Sequence, residues 1–112
     1  MTALANRSLE TCNENSSALS NRDIQPLLNE LTGWEVDADG DFSRIFKIYI
    51  FRDFVSAQAF ANLIADLAEQ QNHHPRICIE WGKVTVSWWT HSISGLFIND
   101  FIMAARCDLN DT

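Results

Sequence analysis

A chain of 112 residues, 46% apolar and 21% charged, has room for one globular domain with a modest core. Eight Lys and Arg against fifteen Asp and Glu give a net charge of −7, which leaves no broad basic surface for a phosphate backbone and argues against direct nucleic-acid binding. No uncharged apolar run approaches the ~20 residues of a membrane helix, and the first dozen residues lack the apolar core of an export signal. The expectation is a cytoplasmic protein without membrane contact.

Residues 1–19 are rich in Asn, Ser, Thr and Ala, with Leu4, Leu9 and Leu19 at no useful period, and read as a flexible leader before a domain spanning residues 20–108. Ile24, Leu27, Leu28 and Leu31 then recur at i, i+3, i+4 and i+7, one stripe of a short helix. Ser20 or Asp23 can cap it. Pro26 favours the later start, because its missing N–H costs nothing in a first turn. Thr32 and Gly33 are expected to end it.

The period changes to two over residues 34–51, where Phe42, Phe46, Ile48 and Ile50 alternate with Ser43, Lys47 and Tyr49. Asp39-Gly40 is a hairpin signal, so two antiparallel strands are expected. Asp53 can cap a longer helix running to about Gln70, with Phe54, Ala57, Phe60, Ala61, Ile64, Leu67 and Ala68 as its apolar face. Pro75 stops it and pushes His74 toward an extended conformation. Ile77, Ile79 and Trp81, then a Gly82-Lys83 turn, then Val84, Val86 and Trp88 predict a second hairpin. Residues 100–106, with Ile98 before them, predict a last helix, and 108–112 a polar tail. The order α-β-β-α-β-β-α has no repeated parallel crossover. It predicts an α+β domain: one antiparallel sheet of about four strands with helices packed on one face.

All three histidines, His73, His74 and His91, fall at element ends: two after the long helix, one after the last strand. If those ends share one rim of the sheet, the imidazoles supply a proton donor and a proton acceptor around neutral pH. Glu69, one helical turn before His73, can bond an imidazole or a polar ligand, and Asp100 stands at the opening of the last helix. A metal site is not expected: the histidines show no H-x-H or H-x-x-x-H spacing, and two adjacent residues rarely aim at one ion. The cysteines Cys12, Cys78 and Cys107 are odd in number and far apart, against both a disulfide framework and a zinc knuckle. No phosphate-binding glycine loop and no nucleophile elbow occurs. Of the tryptophans, Trp88 and Trp89 are strand neighbours and must face opposite ways, so at least one belongs to a pocket, an interface or the surface. The residues alone lead to a histidine-lined pocket for acid/base chemistry on a small molecule.

The run from Glu69 through His73, His74 and Pro75, then Trp81 with Lys83 and Val84, then Thr90-His91, Gly95-Leu96 and Asp100, resembles the signature of the pterin-4a-carbinolamine dehydratases, most closely their bacterial, pseudomonad-type branch. Gly33-Trp34, Phe46, Asp53-Phe54, Ala57 and Phe60 extend the resemblance over residues 20–107. Trp81 stands where Tyr is commoner, and Phe97 where a small hydroxyl residue often caps the last helix. The resemblance implies dehydration of 4a-hydroxytetrahydropterin to quinonoid dihydropterin, the step that recycles the cofactor of aromatic amino-acid hydroxylases, phenylalanine hydroxylase among them. It implies His73 and His91 as the acid/base pair and His74 as a pterin-holding residue. Glu69 and Asp100 would orient the imidazoles, and Pro75 and Trp34 would line or support the pocket. No metal or other cofactor is implied, since the pterin is the substrate. A homo-oligomer, dimer or tetramer, is expected, and a protein-binding regulatory module is the alternative.

Overall fold

The computed structural model describes residues 4–12, 16–39 and 42–111. After a 3-10 turn at Leu4–Asn6, the elements are α1 (Asn21–Asn29), β1 (Glu35–Asp39), β2 (Phe42–Ile50), α2 (Phe54–Gln71), β3 (Arg76–Glu80), β4 (Lys83–Trp88), a 3-10 turn at His91–Ile93, and α3 (Ile98–Leu109). The four strands form one sheet in the order β1-β2-β4-β3, every neighbouring pair antiparallel. The expected α+β architecture is present.

Local chemistry accounts for most boundaries. Asp53 caps α2 by accepting a 2.8 Å bond from the Ser56 N–H, which holds its carboxyl below the ordinary Asp range. In α1, Ser20 is the capping position and Pro26 lies inside the helix, against the later start expected. Arg22, whose carbonyl loses its i+4 donor there, is exposed, so water can replace the bond. That helix stops at Asn29, before the predicted Thr32-Gly33 end. Gly33 has φ +84 and serves the approach to β1, with the Lys47 side chain packed 3.2 Å from where a Cβ would stand. The first hairpin's Asp39-Gly40 turn lies outside the described residues at Gly40. In the second hairpin Glu80 pairs with Lys83, so the turn is Trp81-Gly82, one residue earlier than expected. Gly82 supplies its positive φ, +78, at the second position. The last helix is longer than predicted at both ends and absorbs Asp108 and Leu109 from the expected polar tail.

Register places Ile45 opposite Trp88, Lys47 opposite Val86 and Tyr49 opposite Val84, with Ile77 opposite Val86. These residues share the helix-covered face, and Ile45, Tyr49, Val84, Val86 and Trp88 are buried with Ala57, Phe60, Ala61 and Ile64 of α2. The apolar set read from β2 is on the other face: Ile48 is 46% and Ile50 75% exposed. Counting apolar residues pointed to the wrong side because Lys47 and Tyr49 bury their stems and hand their polar ends to Asp108 of α3, at 2.9 and 2.7 Å.

Residues 4–12, expected to belong to a loose leader, lie against α3. Leu4 is buried in the core. Arg106 donates to the carbonyls of Ala5 and Arg7. Asn99, itself buried, receives the Glu10 N–H at 2.7 Å and donates to the Glu10 carbonyl at 2.8 Å. Farther along, the Leu19 N–H meets the Leu96 carbonyl, and Ala18 sits so close that a Cβ on Gly95 would stand 2.7 Å from its own.

Candidate functional site

The end of α2 sets the first histidine. Asn72 takes the left-handed conformation, φ 51, and the N–H groups of Asn72 and His73 close the helix on Glu69 and Ala68 carbonyls. The chain thereby turns His73 inward, where its ring lies parallel to that of Trp88 at 5.6 Å and its Nε2 meets Asp100 Oδ1 at 2.7 Å. Asp100 has no exposed surface. Its burial is offset by two further donors, the Thr90 hydroxyl at 2.8 Å and the Phe97 N–H at 2.9 Å, and by its place in the first turn of α3. The Phe97 bond is half of a capping box, so α3 is capped although Phe97 has no hydroxyl.

His74 points the other way. Its Nε2 pairs with Glu69 Oε1 at 2.8 Å, both side chains being exposed. Glu69 thus reaches His74 rather than His73, one residue farther than the helical spacing suggested, because the turn at Asn72 has taken His73 inward. His91 begins the 3-10 turn after β4, stacks on Trp89 at 4.6 Å and places Nε2 3.2 Å from the His74 carbonyl. Helix end and strand end do converge on one rim. Each tryptophan of the pair backs one imidazole: Trp88, the last residue of β4, stacks on His73, and Trp89, just past the strand, on His91.

The partners fix the chemistry of all three rings. A carboxylate or a carbonyl oxygen only accepts, so each neutral histidine carries its proton on Nε2 and leaves Nδ1 as the nitrogen able to take or, when charged, give a proton. A cavity of about 390 Å³ is lined by His73, His74 and His91, by Gln71 and Asn72 at the end of α2 and Thr90 and Ser92 around His91, and also by Leu9, Glu10, Cys12 and Asn99. Its volume suits a small molecule. Asp100 stands behind His73, and Pro75 leads from His74 into β3; neither lines the cavity.

Trp34 is elsewhere. Its indole N–H donates to Asp108 Oδ2 at 3.1 Å, and that carboxylate also holds Lys47 and Tyr49. Burial, then the bond to Asp108, pushes the Tyr49 hydroxyl well above its ordinary range. Trp34 therefore ties α3 to the sheet instead of lining the pocket. Burial pushes the Cys107 thiol up to about 12, which keeps it protonated and inert at neutral pH. Among the described residues no group of three or more His, Cys, Asp or Glu converges as metal ligands, and no helix is long and apolar enough to cross a membrane. Sequence reasoning missed Leu9, Glu10, Cys12 and Asn99, which carry no local signal for a pocket.

This geometry accompanies a clear kinship. The family model described as pterin 4 alpha carbinolamine dehydratase matches residues 17–109. The chain belongs to that family. A protein of Vibrio vulnificus, provisionally named a pterin-4-alpha-carbinolamine dehydratase, is 50% identical over 99 residues, 88% of this chain and 90% of the relative. Another of the same provisional name, from Marinobacter nauticus, is 44% identical over 108 residues, 96% of this chain and 97% of its own length. Among solved structures, a transcriptional coactivator/pterin dehydratase from Brucella melitensis aligns with a TM-score of 0.77 at 29% identity, over 86% of this chain and 100% of that one. A pterin dehydratase-like protein identified as a RuBisCO assembly factor shares the fold, with a TM-score of 0.59 at 22% identity over 73% of this chain and 96% of its own.

Proposed function

We propose that the chain dehydrates a 4a-hydroxytetrahydropterin to the quinonoid dihydropterin by histidine acid/base catalysis. The observation that carries this reading is the convergence of three imidazoles, each with Nε2 on an oxygen acceptor, around one small-molecule cavity. The family and its similarly named relatives support the pterin as substrate.

Loss of water breaks the C4a–O bond as N5 gives up its proton and the C4a–N5 double bond forms. One imidazolium protonates the departing hydroxyl, and one neutral imidazole accepts the N5 proton. His73 and His91 take these roles, and His74, paired with an exposed carboxylate, holds the pterin. No electron is transferred, so the reaction calls for no redox cofactor, and the protons move between nitrogen and oxygen without a metal. The substrate places the chain beside an aromatic amino-acid hydroxylase such as phenylalanine hydroxylase, in the cytoplasm where that cofactor is recycled.

Adding the purified protein to a hydroxylase reaction and following the absorbance of the carbinolamine tests this directly. The intermediate should vanish faster in proportion to added protein, and an unchanged decay contradicts the reading. A homo-oligomer is part of the proposal: Ile48 and Ile50 on the open sheet face and Val55 and Leu63 on α2 are exposed apolar groups that a second copy can cover. Light scattering should give a multiple of 12.7 kDa, and a strict monomer at micromolar concentration contradicts it. The open face, and the coactivator role in the name of the Brucella neighbour, also support protein contacts as an additional regulatory function.

A further inference from the structure

We propose that a groove on the open face of the sheet, between Glu35 of β1 and Arg76 of β3, binds a free amino acid with an apolar side chain as its zwitterion. The groove shares no lining residue with the histidine cavity, so the site stands or falls independently of the dehydratase reading.

Strand pairing brings four unlike side chains into one row. Glu35 is opposite Phe46, Phe46 opposite Ser87, and Ser87 opposite Arg76. They belong to the face that the helices leave open, because the chain neighbours Ile45, Val86 and Ile77 take the covered one. The row reads carboxylate, aromatic ring, hydroxyl, guanidinium, over three strand spacings or about 14 Å of backbone. It crosses a groove of about 450 Å³, completed by Thr85 beside Ser87 and by Val36, Asp37 and Arg44 toward β1.

The polar members of the row are unspent. Among the described residues the Glu35 carboxylate, the Ser87 hydroxyl and the Arg76 guanidinium form no ion pair and no side-chain hydrogen bond. Exposed charges such as Glu35 and Arg76 can rely on water. Ser87 is different, because it is only 5% exposed, and a hydroxyl that deep ordinarily has a partner. It lines the groove, and a guanidinium stands beside it in the row. A guanidinium fork with a hydroxyl next to it is a receptor for a carboxylate, two parallel bonds from the first and one from the second. Arg44 is not free in this way, since it already holds Asp37 at 2.8 and 3.0 Å.

Charge then selects the class of ligand. Glu35 and Asp37 border the groove and repel a phosphate or a dicarboxylate, while Arg76 and Arg44 repel a simple amine. A molecule with one charge of each sign suits both rims: the carboxylate on Arg76 and Ser87, the ammonium toward Glu35, and an apolar side chain on the partly buried Phe46 ring. Both rim side chains are long enough to lean over the floor, so the compact charge pair of an amino acid can reach the two of them.

The test is a titration of the ¹⁵N-labelled full-length protein, followed by ¹H–¹⁵N correlation spectra. The probes are L-leucine and the two analogues that each lack one of its charges, 4-methylpentanoate and 3-methylbutylamine. L-leucine should give saturable shifts at the amides of Glu35, Phe46, Arg76 and Ser87, half complete at about 1 mM or below, and each analogue should bind about tenfold more weakly or worse. Arg76→Gln should bind L-leucine about tenfold more weakly and no longer prefer it to the amine, and Glu35→Gln should no longer prefer it to 4-methylpentanoate. Both positions are exposed, so neither change touches the core. No saturation below about 20 mM, equal binding of the three probes, shifts confined to the histidine cavity, or variants that keep both preferences would each overturn the site.

Discussion

Helix α3 carries two carboxylates that do the same thing at its two ends. Asp100, in the first turn, gathers His73, the Thr90 hydroxyl and the Phe97 N–H. Asp108, in the last turn, gathers Trp34, Lys47 and Tyr49. Each satisfies three donors and fastens the helix to a neighbouring element. They differ in what the donors can do next. Indole, ammonium and a phenol pushed far above its usual range hold their protons at neutral pH, and none of the three lines the histidine cavity. An imidazole can exchange its proton near neutral pH, and His73 opens on that cavity. A buried carboxylate with three donors is therefore a scaffold device, and it becomes part of a reacting site only when one donor both titrates and meets a cavity.

The largest effects should come from the reacting end. His73→Ala and His91→Ala should each lower turnover roughly ten- to a thousandfold while the fold persists, and the double change should nearly abolish it. Full activity in the double variant would remove the assignment. Asp100→Asn offers an amide where three donors converge and releases His73 to the other tautomer, so turnover should fall by about a hundredfold or more. Asp108→Asn is the matched control: steady-state kinetics should show turnover within about twofold of the intact chain at a temperature where both are folded, while thermal melting shows a loss of roughly 1–3 kcal/mol from the disturbed network. If Asp108→Asn were the slower enzyme, the contrast between the two ends would be lost.

Smaller effects sharpen the same contrast. Tyr49→Phe removes one donor from Asp108 and should cost about 0.5–1.5 kcal/mol in denaturant unfolding without touching turnover. The least visible change is at Asp53, whose carboxyl is held below its ordinary range by the Ser56 bonds. A depressed folded-state pKa means that the cap contributes fully above the ordinary carboxylate value of about 3.9 and is lost as the pH falls through the lower folded value. Asp53→Asn keeps a capping oxygen without the titration, so its melting temperature should decline less steeply below about pH 4. Parallel acid profiles for the two proteins would contradict that.

The contrast also explains what the chain made legible. The Asp53 cap, the long helix and both hairpins were readable because capping chemistry and periodicity are local. The meeting of His73, His74 and His91 followed from the topology, and the resemblance named Asp100 and Glu69 as their partners. The open and covered faces of β2 were not readable: Lys47 and Tyr49 look like outward residues until Asp108, some sixty positions away in sequence, is known to receive them. Trp34 was misplaced for the same reason, since its partner is that same carboxylate. The N-terminal side of the cavity was hidden because the Asn99 clamp acts on the Glu10 backbone, which leaves no mark on side-chain pattern.

Oxygen acceptors on all three Nε2 atoms set the tautomer of each neutral histidine. Long-range ¹H–¹⁵N correlation spectra of the ¹⁵N-labelled protein, recorded above the pH at which the imidazoles are charged, read each neutral tautomer directly. His73, His74 and His91 should all carry the proton on Nε2, and Asp100→Asn should shift His73 alone toward the Nδ1–H form. His73 found as Nδ1–H in the intact protein would contradict it.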